Sequence, residues 1–383
     1  MSDRAGRQRI LLIVRSLQMG GIERHTINLA NAMAADGHDV HILVLKRRVV
    51  LQPDAAVTVH YFDVDKINRL TGIGLVYDLI TRLLLAPLIK RSNFYWRGLY
   101  GGWYLRLFLY WQERKSGRFD KIIALGQGAF ELFWNYRDPR FYQVVVSPLW
   151  AMRGGFWERV FSKALYHRKN LVTNSSGVQA SLEERLQAYS LIPRSLKLIY
   201  NPLPVARIQA QSREPAPLPD EPYIVHVSRL TYQKHQSLLL RAYQASGVNQ
   251  KLVIVGGGQD EPRLRQLARE LAIDSRVRFV GEQSNPYPWM RQASLFVLSS
   301  RFEGFGLVLA EAMICGTPVV ATDCPGGVHD VLSGDQKRLI ADNTVQGLAD
   351  KIREGLDNPP EITPALYRRF DASEIAEQFL RLE

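Results

Sequence analysis

The chain has 383 residues, 46% of them apolar, and a net charge of +12. That length points to two domains, and the apolar content suffices for two ordinary cores. The polar, basic start Met1 to Arg9 and the short run Ile10 to Val14 lack a secretory pattern, and no apolar run reaches the roughly 18 residues of a spanning helix. Cys315 and Cys324 have neither metal-ligand spacing nor a reason to bridge, which fits a reducing cytosol. The charge is uneven: residues 1–200 hold 29 Lys/Arg against 15 Asp/Glu, and residues 201–383 hold 20 against 22. The first half therefore expects an acidic partner, such as anionic lipid headgroups, a diphosphate-linked carrier, an acidic glycolipid or nucleic acid. Its Lys and Arg are scattered without an RNA or DNA motif, so nucleic acid is not the expected partner.

Arg9-Ile-Leu-Leu-Ile-Val14 reads as a strand, Gly20-Gly21 as a turn, Glu23 to Asp36 as a helix and Val40 to Leu45 as a second strand. Gln18-Met-Gly20-Gly21-Ile-Glu23 would bring backbone N–H groups of Gly20 and Gly21 to an anion, or serve as a turn needing positive φ. Asp63-Val-Asp65 has the D-x-D form that can hold a divalent cation, but the surroundings read as a polar loop. Leu79 to Ile89 is strongly apolar, and Phe94 to Trp111 contains nine aromatics in 18 residues. If that stretch is helical, Trp96, Tyr100, Trp103, Leu107 and Trp111 share a face. Arg97 and Arg106, with three glycines, argue against spanning. Trp96, Arg97, Trp103 and Arg106 suit a headgroup boundary or acceptor surface, or else the aromatics pack inside the domain. Further strands are expected at Lys121–Leu125, Val144–Ser147, Leu171–Asn174 and Lys197–Tyr200.

Residues 201–222 hold six prolines and read as a stiff, extended connector between a first domain, 1–200, and a second, 223–370. In the second, strands at Tyr223–Val227, Leu252–Val255, Val277–Val280, Leu295–Leu298 and Pro318–Ala321 alternate with helices at Gln236–Ala245, Glu261–Leu271, Pro286–Gln292 and Leu307–Cys315. Such a βαβ series predicts an α/β fold with a doubly wound parallel sheet and ligand at the strands' C-terminal ends.

The motifs of this half follow its strands. Arg229 and Lys234 leave the first of them, where both could meet a diphosphate through charge-assisted hydrogen bonds of roughly 1.5–3 kcal/mol each; the plainer reading is two surface cations. Gly256 and Gly258 form a weak nucleotide-like turn without a full G-x-G-x-x-G. In Arg301-Phe-Glu303-Gly304-Phe-Gly306-Leu-Val-Leu-Ala-Glu311, two carboxylates flank a Gly-rich turn and the start of a helix. Glu311 lies about 12 Å along if the helix rises 1.5 Å per residue. Alone they would be solvated charges; flanking a phosphate-friendly turn, they suit a ligand with a charged centre and hydroxyls at both ends, such as a nucleotide-sugar.

This stretch resembles the E-x7-E signature of retaining glycosyltransferases of family 4. The resemblance continues at Ser228-Arg229-Leu-Thr-Tyr-Gln-Lys234-His235, similar to G-R-L-x-x-Q-K-G with Ser228 and His235 in place of the glycines, and at Gly20-Gly21-Ile-Glu23, similar to G-G-x-E. It implies a GT-B architecture of two Rossmann-like domains facing a cleft, with the helix from about 371 to 383 crossing back to the first domain. It implies that Arg229 and Lys234 hold the diphosphate, Glu303 the donor sugar and Glu311 the ribose. Gly20, Gly21, Gly256, Gly258, Gly304, Phe305, Gly306 and Leu307 would shape the donor pocket. The implied reaction moves a sugar from a nucleoside diphosphate donor, expected to be UDP-linked, to a hydroxyl of a lipid-linked or cell-surface glycan. It needs no cofactor or metal, and the enzyme would be cytoplasmic, peripheral on the inner face of the membrane. The acceptor attacks from the face the leaving group departs, and a donor phosphate oxygen helps take its proton.

One departure stands out. Many family members carry a His after a middle strand of the first domain, whereas Val144-Val-Val146-Ser147-Pro148-Leu-Trp150 has none; His25 and His167 are conceivable substitutes or structural residues. The rival readings are a sugar-nucleotide epimerase on the same fold, a dehydrogenase and a basic membrane- or nucleic-acid-binding module. The dehydrogenase needs a G-x-G-x-x-G after the first strand, which is absent.

Overall fold

The computed structural model describes residues 6–18, 20–85, 89, 92–149 and 155–383; Met19, residues 86–88 of the apolar run and Trp150 lie outside the described residues. The chain divides into two compact units, Met1–Pro202 with Ala372–Glu383, and Leu203–Asp371.

In unit 1, β1 (Arg9–Val14), β2 (Asp39–Val44), β3 (Thr58–Tyr61), β4 (Lys121–Leu125), β5 (Phe141–Val145), β6 (Asn170–Thr173) and β7 (Ser195–Leu198) form one sheet. All its pairs are parallel, in the order β3-β2-β1-β4-β5-β6-β7. β1 is wholly buried because helices cover both faces of a parallel sheet. Its side chains divide by the two-residue period of a strand. Leu11 and Ile13 join a core with Phe119, Phe130 and Leu182, while Ile10, Leu12 and Val14 join another with Leu29, Met33 and Phe379. Phe379 comes from the last helix, Ala372–Leu380, so the end of the chain completes the core of unit 1. Burying a side chain of this size contributes about 1.5–3 kcal/mol.

In unit 2, β8 (Tyr223–Val227), β9 (Lys251–Val255), β10 (Val277–Gly281), β11 (Leu295–Leu298), β12 (Val319–Thr322) and β13 (Ile340–Ala341) form a parallel sheet in the order β10-β9-β8-β11-β12-β13. Helix Leu307–Ile314 stops at Gly316, which takes a left-handed φ of 88°. The Gly316 and Thr317 N–H groups cap it by donating to the carbonyls of Met313 and Ala312.

Several elements depart from the sequence reading. The connector carries a helix, Val205–Gln211, and Leu203 N–H donates to the Phe370 carbonyl at 2.8 Å, so its first part is strapped down rather than extended. The strands expected at 144–147 and 197–200 begin earlier, at Phe141 and Ser195. Asp63-Val-Asp65 is not a loop: Asp63 caps the helix Val64–Leu70 by accepting from Lys66 N–H at 3.0 Å. Gly20 has an extended φ of −171°, so the Gly20-Gly21 step is the start of helix Gly21–Ala35 and not a positive-φ turn. The glycines of helix Asn93–Ser116 allow close packing: a Cβ on Gly101 would lie 2.0 Å from the Leu132 carbonyl oxygen.

Candidate active site

The order of the unit 2 sheet reverses between β8 and β11, its neighbours on the two sides following opposite directions in sequence. At such a switch point adjacent connections diverge and leave a crevice at the strands' C-terminal ends. Arg229 and Lys234 follow β8, Gly256 and Gly258 follow β9, and Glu303 to Gly306 follow β11. The structure therefore brings these sequence-predicted residues to one end of one sheet.

Lys234 ends a short 3-10 turn, Tyr232–Lys234, and its Nζ donates to Glu303 Oε1 at 2.7 Å. Glu303 is only 6% exposed, and the same oxygen accepts from Ser300 Oγ at 2.5 Å. A buried carboxylate needs such partners, and the pair supplies them across 69 positions of sequence. The two loops are also stitched together. Arg301 N–H donates to the Gln233 carbonyl at 2.8 Å, Ser299 Oγ to the Lys234 carbonyl at 2.9 Å, and Gln233 Nε2 to the Phe302 carbonyl at 3.0 Å. The Arg301 guanidinium lies 4.4 Å from the Tyr232 ring centroid. An ammonium has three donors, of which Glu303 takes one.

Arg229 is exposed, and its backbone is fixed from below. Gln236 Nε2 donates to the Arg229 carbonyl and to Ser228 Oγ, both at 2.9 Å. Ser228 Oγ also lies 2.7 Å from Nε2 of the buried His226, whose Nδ1 meets the Val297 carbonyl at 2.8 Å. Burial holds the His226 imidazole down at a pKa of about 4, so it stays neutral. His235 stands where the family motif has its last glycine and adopts left-handed φ 51° and ψ 39°. A His there retains the glycine-like backbone at modest steric cost.

Glu311 is 4% exposed on helix Leu307–Ile314 and accepts from Tyr287 OH at 3.3 Å. Phe305 is buried edge-on against Phe370, with centroids 5.1 Å apart, and fixes the turn between the two glutamates. Gly306 caps the helix with φ 89°; Leu307 is its first residue. Gly256 and Gly258 lie against the 228–230 backbone: a Cβ would meet the carbonyl oxygens of Ser228 at 2.0 Å and Leu230 at 2.2 Å.

Sequence reasoning missed two parts of this site. Gly326 and Gly327, after β12, back the Glu303 loop; a Cβ on Gly326 would stand 1.6 Å from the Glu303 carbonyl oxygen. The Pro325-Gly-Gly327 turn following an apolar run was the available signal. The His226–Ser228–Gln236 network was the other, and a lone buried His in a strand gives no signal.

In unit 1, Gly20 and Gly21 open helix Gly21–Ala35 after β1, and Ser16 Oγ donates to Glu23 Oε1 at 3.3 Å. His25 is buried against Asn201 Oδ1 at 2.8 Å, and burial lowers its pKa to about 4, a structural role. His167 Nδ1 accepts from Ile192 N–H at 3.2 Å. Trp96 and Arg97 turn inward: Trp96 Nε1 donates to Ser92 Oγ at 2.9 Å, and Arg97 pairs with Asp65. Arg106 is exposed, as are Trp103 at 56% and Trp111 at 64%. The supposed single aromatic face is thus split between packing and exposure. Among the described residues no three His, Cys, Asp or Glu side chains are grouped to hold a metal ion.

Residues 19–207 match the family model "Glycosyltransferase Family 4", and residues 208–373 match "Glycosyl transferases group 1". An uncharacterized glycosyltransferase of Haemophilus influenzae is 30% identical over 90% of this chain and 88% of its own length. The chain is a family 4 glycosyltransferase. This glycosyltransferase is also similar to the N-acetylgalactosamine-N,N'-diacetylbacillosaminyl-diphospho-undecaprenol 4-alpha-N-acetylgalactosaminyltransferase of Campylobacter jejuni, 31% identical over 57% of this chain and 60% of that one. The match to lipopolysaccharide 1,6-galactosyltransferase of Salmonella typhimurium is 29% identical over 40% of this chain and 44% of that one. The chain thus spans less than two thirds of the length of either. Among solved structures, HepE of Anabaena in complex with UDP has a TM-score of 0.66 at 18% identity, covering 97% of this chain and 98% of that one. A glycosyltransferase of Rickettsia africae has a TM-score of 0.69 at 14% identity, covering 98% and 97%. These likenesses agree with a GT-B glycosyltransferase fold.

Proposed function

We propose that this glycosyltransferase is retaining and metal-independent, and that it moves a sugar from a UDP-linked donor to a hydroxyl of a lipid-linked or cell-surface glycan at the cytoplasmic face of the membrane. The observation that carries the donor assignment is the Lys234–Glu303 pair at the switch point of the unit 2 sheet, with Arg229 beside it in sequence and Glu311 on the next helix. Arg229 and Lys234 would stabilise the charge that grows on the diphosphate as the bond from the anomeric carbon to the phosphate oxygen breaks. Glu303 would hold sugar hydroxyls and Glu311 the ribose. The acceptor oxygen bonds to the anomeric carbon on the face the diphosphate leaves, and its proton passes to the departing diphosphate. Two cations at the leaving group would support chemistry without a metal. Gly20 and Gly21 would offer N–H groups to the donor phosphates.

The choice of UDP and of a lipid-linked acceptor draws on the relatives: HepE was crystallised with UDP, and the Campylobacter enzyme is named for a diphospho-undecaprenol acceptor. Attachment to an anionic membrane surface is supported by exposed apolar side chains of unit 1, among them Ile73, Leu83, Trp103 and Trp111, beside Arg106 and Arg114. No helix among the described residues is long and apolar enough to cross a membrane.

The test is turnover of UDP-glucose, UDP-galactose and their N-acetyl forms, with EDTA and extracted membrane lipids, followed by NMR of the anomeric proton. The expected result is release of UDP with an α-configured product. A β-configured product, or turnover that requires a divalent cation, would overturn the retaining or the metal-independent part.

A further inference from the structure

The N-terminal ends of β5, β6 and β7 gather positive charge at the opposite end of the unit 1 sheet from Gly20 and Gly21. The loops leading into these strands line an open cavity of about 430 Å³. Arg137 and Asp138 precede β5, Arg168 and Lys169 precede β6, and Arg194 precedes β7. The volume falls within the range of small-molecule pockets, about 300–1,000 Å³. Strands of four or five residues separate it from the C-terminal end of the sheet by at least about 13 Å.

The backbone arranges these cations. Arg168 N–H donates to the Ile192 carbonyl and Arg194 N–H to the Lys169 carbonyl, both at 2.8 Å, which ties the loops before β6 and β7 together. Arg168 holds a left-handed φ of 56°, a conformation that costs a residue with a Cβ and that recurs at ligand clamps. Lys169 is 7% exposed, and its Nζ donates to the carbonyls of Trp134 and Tyr136 at 2.7 Å each. Carbonyls satisfy the ammonium's hydrogen bonds without cancelling its charge. Burial, with the Arg137 charge, pushes its pKa down to about 8.

Arg137, Arg168 and Arg194 are exposed; what sets them apart is the lack of counter-ions around the cavity. Among the described residues Asp138 is the one carboxylate of the lining, and it is already engaged. Its Oδ1 accepts from Arg140 N–H at 2.9 Å and Nε at 3.0 Å, and its Oδ2 from Arg140 Nη2 at 2.7 Å and Tyr136 OH at 3.0 Å. Glu113 also pairs with Arg140, at 2.6 Å. Glu383 is the other carboxylate nearby, since it and Arg194 both act on Tyr142. Among the described residues, none of Arg137, Arg168, Lys169 and Arg194 has a carboxylate oxygen within ion-pairing distance. Arg106 adds positive charge 5.8 Å from the Tyr136 ring centroid. Like charges gathered around one cavity cost free energy that a bound anion offsets.

We propose that this cavity binds the phosphoryl groups of a multiply charged ligand, at a site separate from the donor site. That it does so is independent of the donor assignment. Guanidinium forks match phosphoryl oxygens with paired hydrogen bonds, and three of them above a buried ammonium favour a dianion or polyanion over a single carboxylate. The cavity exceeds one phosphate and leaves space for the body that carries it. A lipid headgroup and a soluble phosphate ester present the same chemistry.

The test is calorimetric titration of inorganic pyrophosphate into the whole chain, with UDP saturating. The expected result is one further site, weakened at least about tenfold in the Arg168→Gln/Arg194→Gln double variant and unchanged in Arg229→Ala. Arg168→Gly removes a charge and relieves the left-handed backbone. It should weaken binding at least about threefold without lowering the melting temperature, whereas a structural Arg168 would lower it. No further site, equal affinity in a double variant with the parent's melting temperature, or glucuronate binding as tightly as pyrophosphate would overturn the proposal. Once the site is shown, sedimentation with phosphatidic acid vesicles identifies the source. Sedimentation that pyrophosphate and the double variant both reduce assigns the site to a headgroup, and sedimentation that neither changes assigns it to a soluble phosphate.

Discussion

The loops after β8 and β11 in unit 2 and the stretch 64–116 in unit 1 treat their polar and apolar groups in opposite ways. In unit 2, the buried Glu303 is paired with the partly buried Lys234, their loops are cross-linked by hydrogen bonds, and Glu311 is enclosed. In unit 1, the helical segments Ile73–Ile80, Thr81–Leu85 and Asn93–Ser116 leave Ile73, Leu83, Trp103 and Trp111 in solvent. A site that is already satisfied is organised before its ligand arrives. A surface that is not satisfied expects something to cover it.

The sharpest way to break this comparison is Lys234→Ala. Turnover should fall by about 10²–10³-fold, the scale of losing one charge-stabilising donor. Because Glu303 is left buried and unpaired, chemical denaturation should also show a loss of about 3–5 kcal/mol. Normal turnover with normal stability would mean that the pair is neither catalytic nor structural.

A somewhat smaller effect comes from pH. His25 and His226 are buried with pKa values held down at about 4, so the unfolded chain binds their protons first. Stability should therefore be fully present above pH 6.5 and fall as the pH drops from 6.5 to about 4, by up to about 3 kcal/mol per group. A His226→Gln variant should show a shallower fall in melting temperature over that window; an unchanged slope would contradict the neutral assignment.

Gly326→Ala probes the backing of the Glu303 loop. With φ at 125° and a carbonyl oxygen 1.6 Å from the new Cβ, it should cost about 1–3 kcal/mol in urea unfolding and displace the Glu303 backbone. Smallest is the Trp103→Ser/Trp111→Ser double variant, which should weaken sedimentation with anionic vesicles by about tenfold while leaving the melting temperature unchanged. Equal sedimentation would show that these rings do not meet lipid.

Much of this was legible because the central strands of a parallel sheet are apolar on both faces. β1, β8 and β11 therefore stood out as unbroken runs with the observed boundaries. Edge and terminal elements were not visible: β3 is Thr-Val-His-Tyr with mixed exposure, and β13 is two residues long. The amphipathic helix Val345–Asp357 has no counterpart among the expected elements, though Leu348, Ala349 and Ile352 carry its helical spacing. At the site, Arg229, Lys234, Glu303 and Glu311 could each be placed by its distance from a strand end. That Lys234 and Glu303 bind each other could not, since the pair joins two loops 69 positions apart in sequence. The inward turn of Trp96 and Arg97 was hidden as well, because it depends on Ser92 and Asp65 and not on the helix's own pattern.

The central claim is that unit 2 presents a preformed, metal-free diphosphate site. Calorimetric binding of UDP, GDP and NAD in EDTA, to the parent and to Arg229→Ala, tests it most directly. The account predicts UDP binding in the micromolar range, weakened at least about tenfold by the substitution, with GDP and NAD weaker. NAD bound more tightly than either nucleoside diphosphate, or UDP affinity indifferent to Arg229, would contradict it.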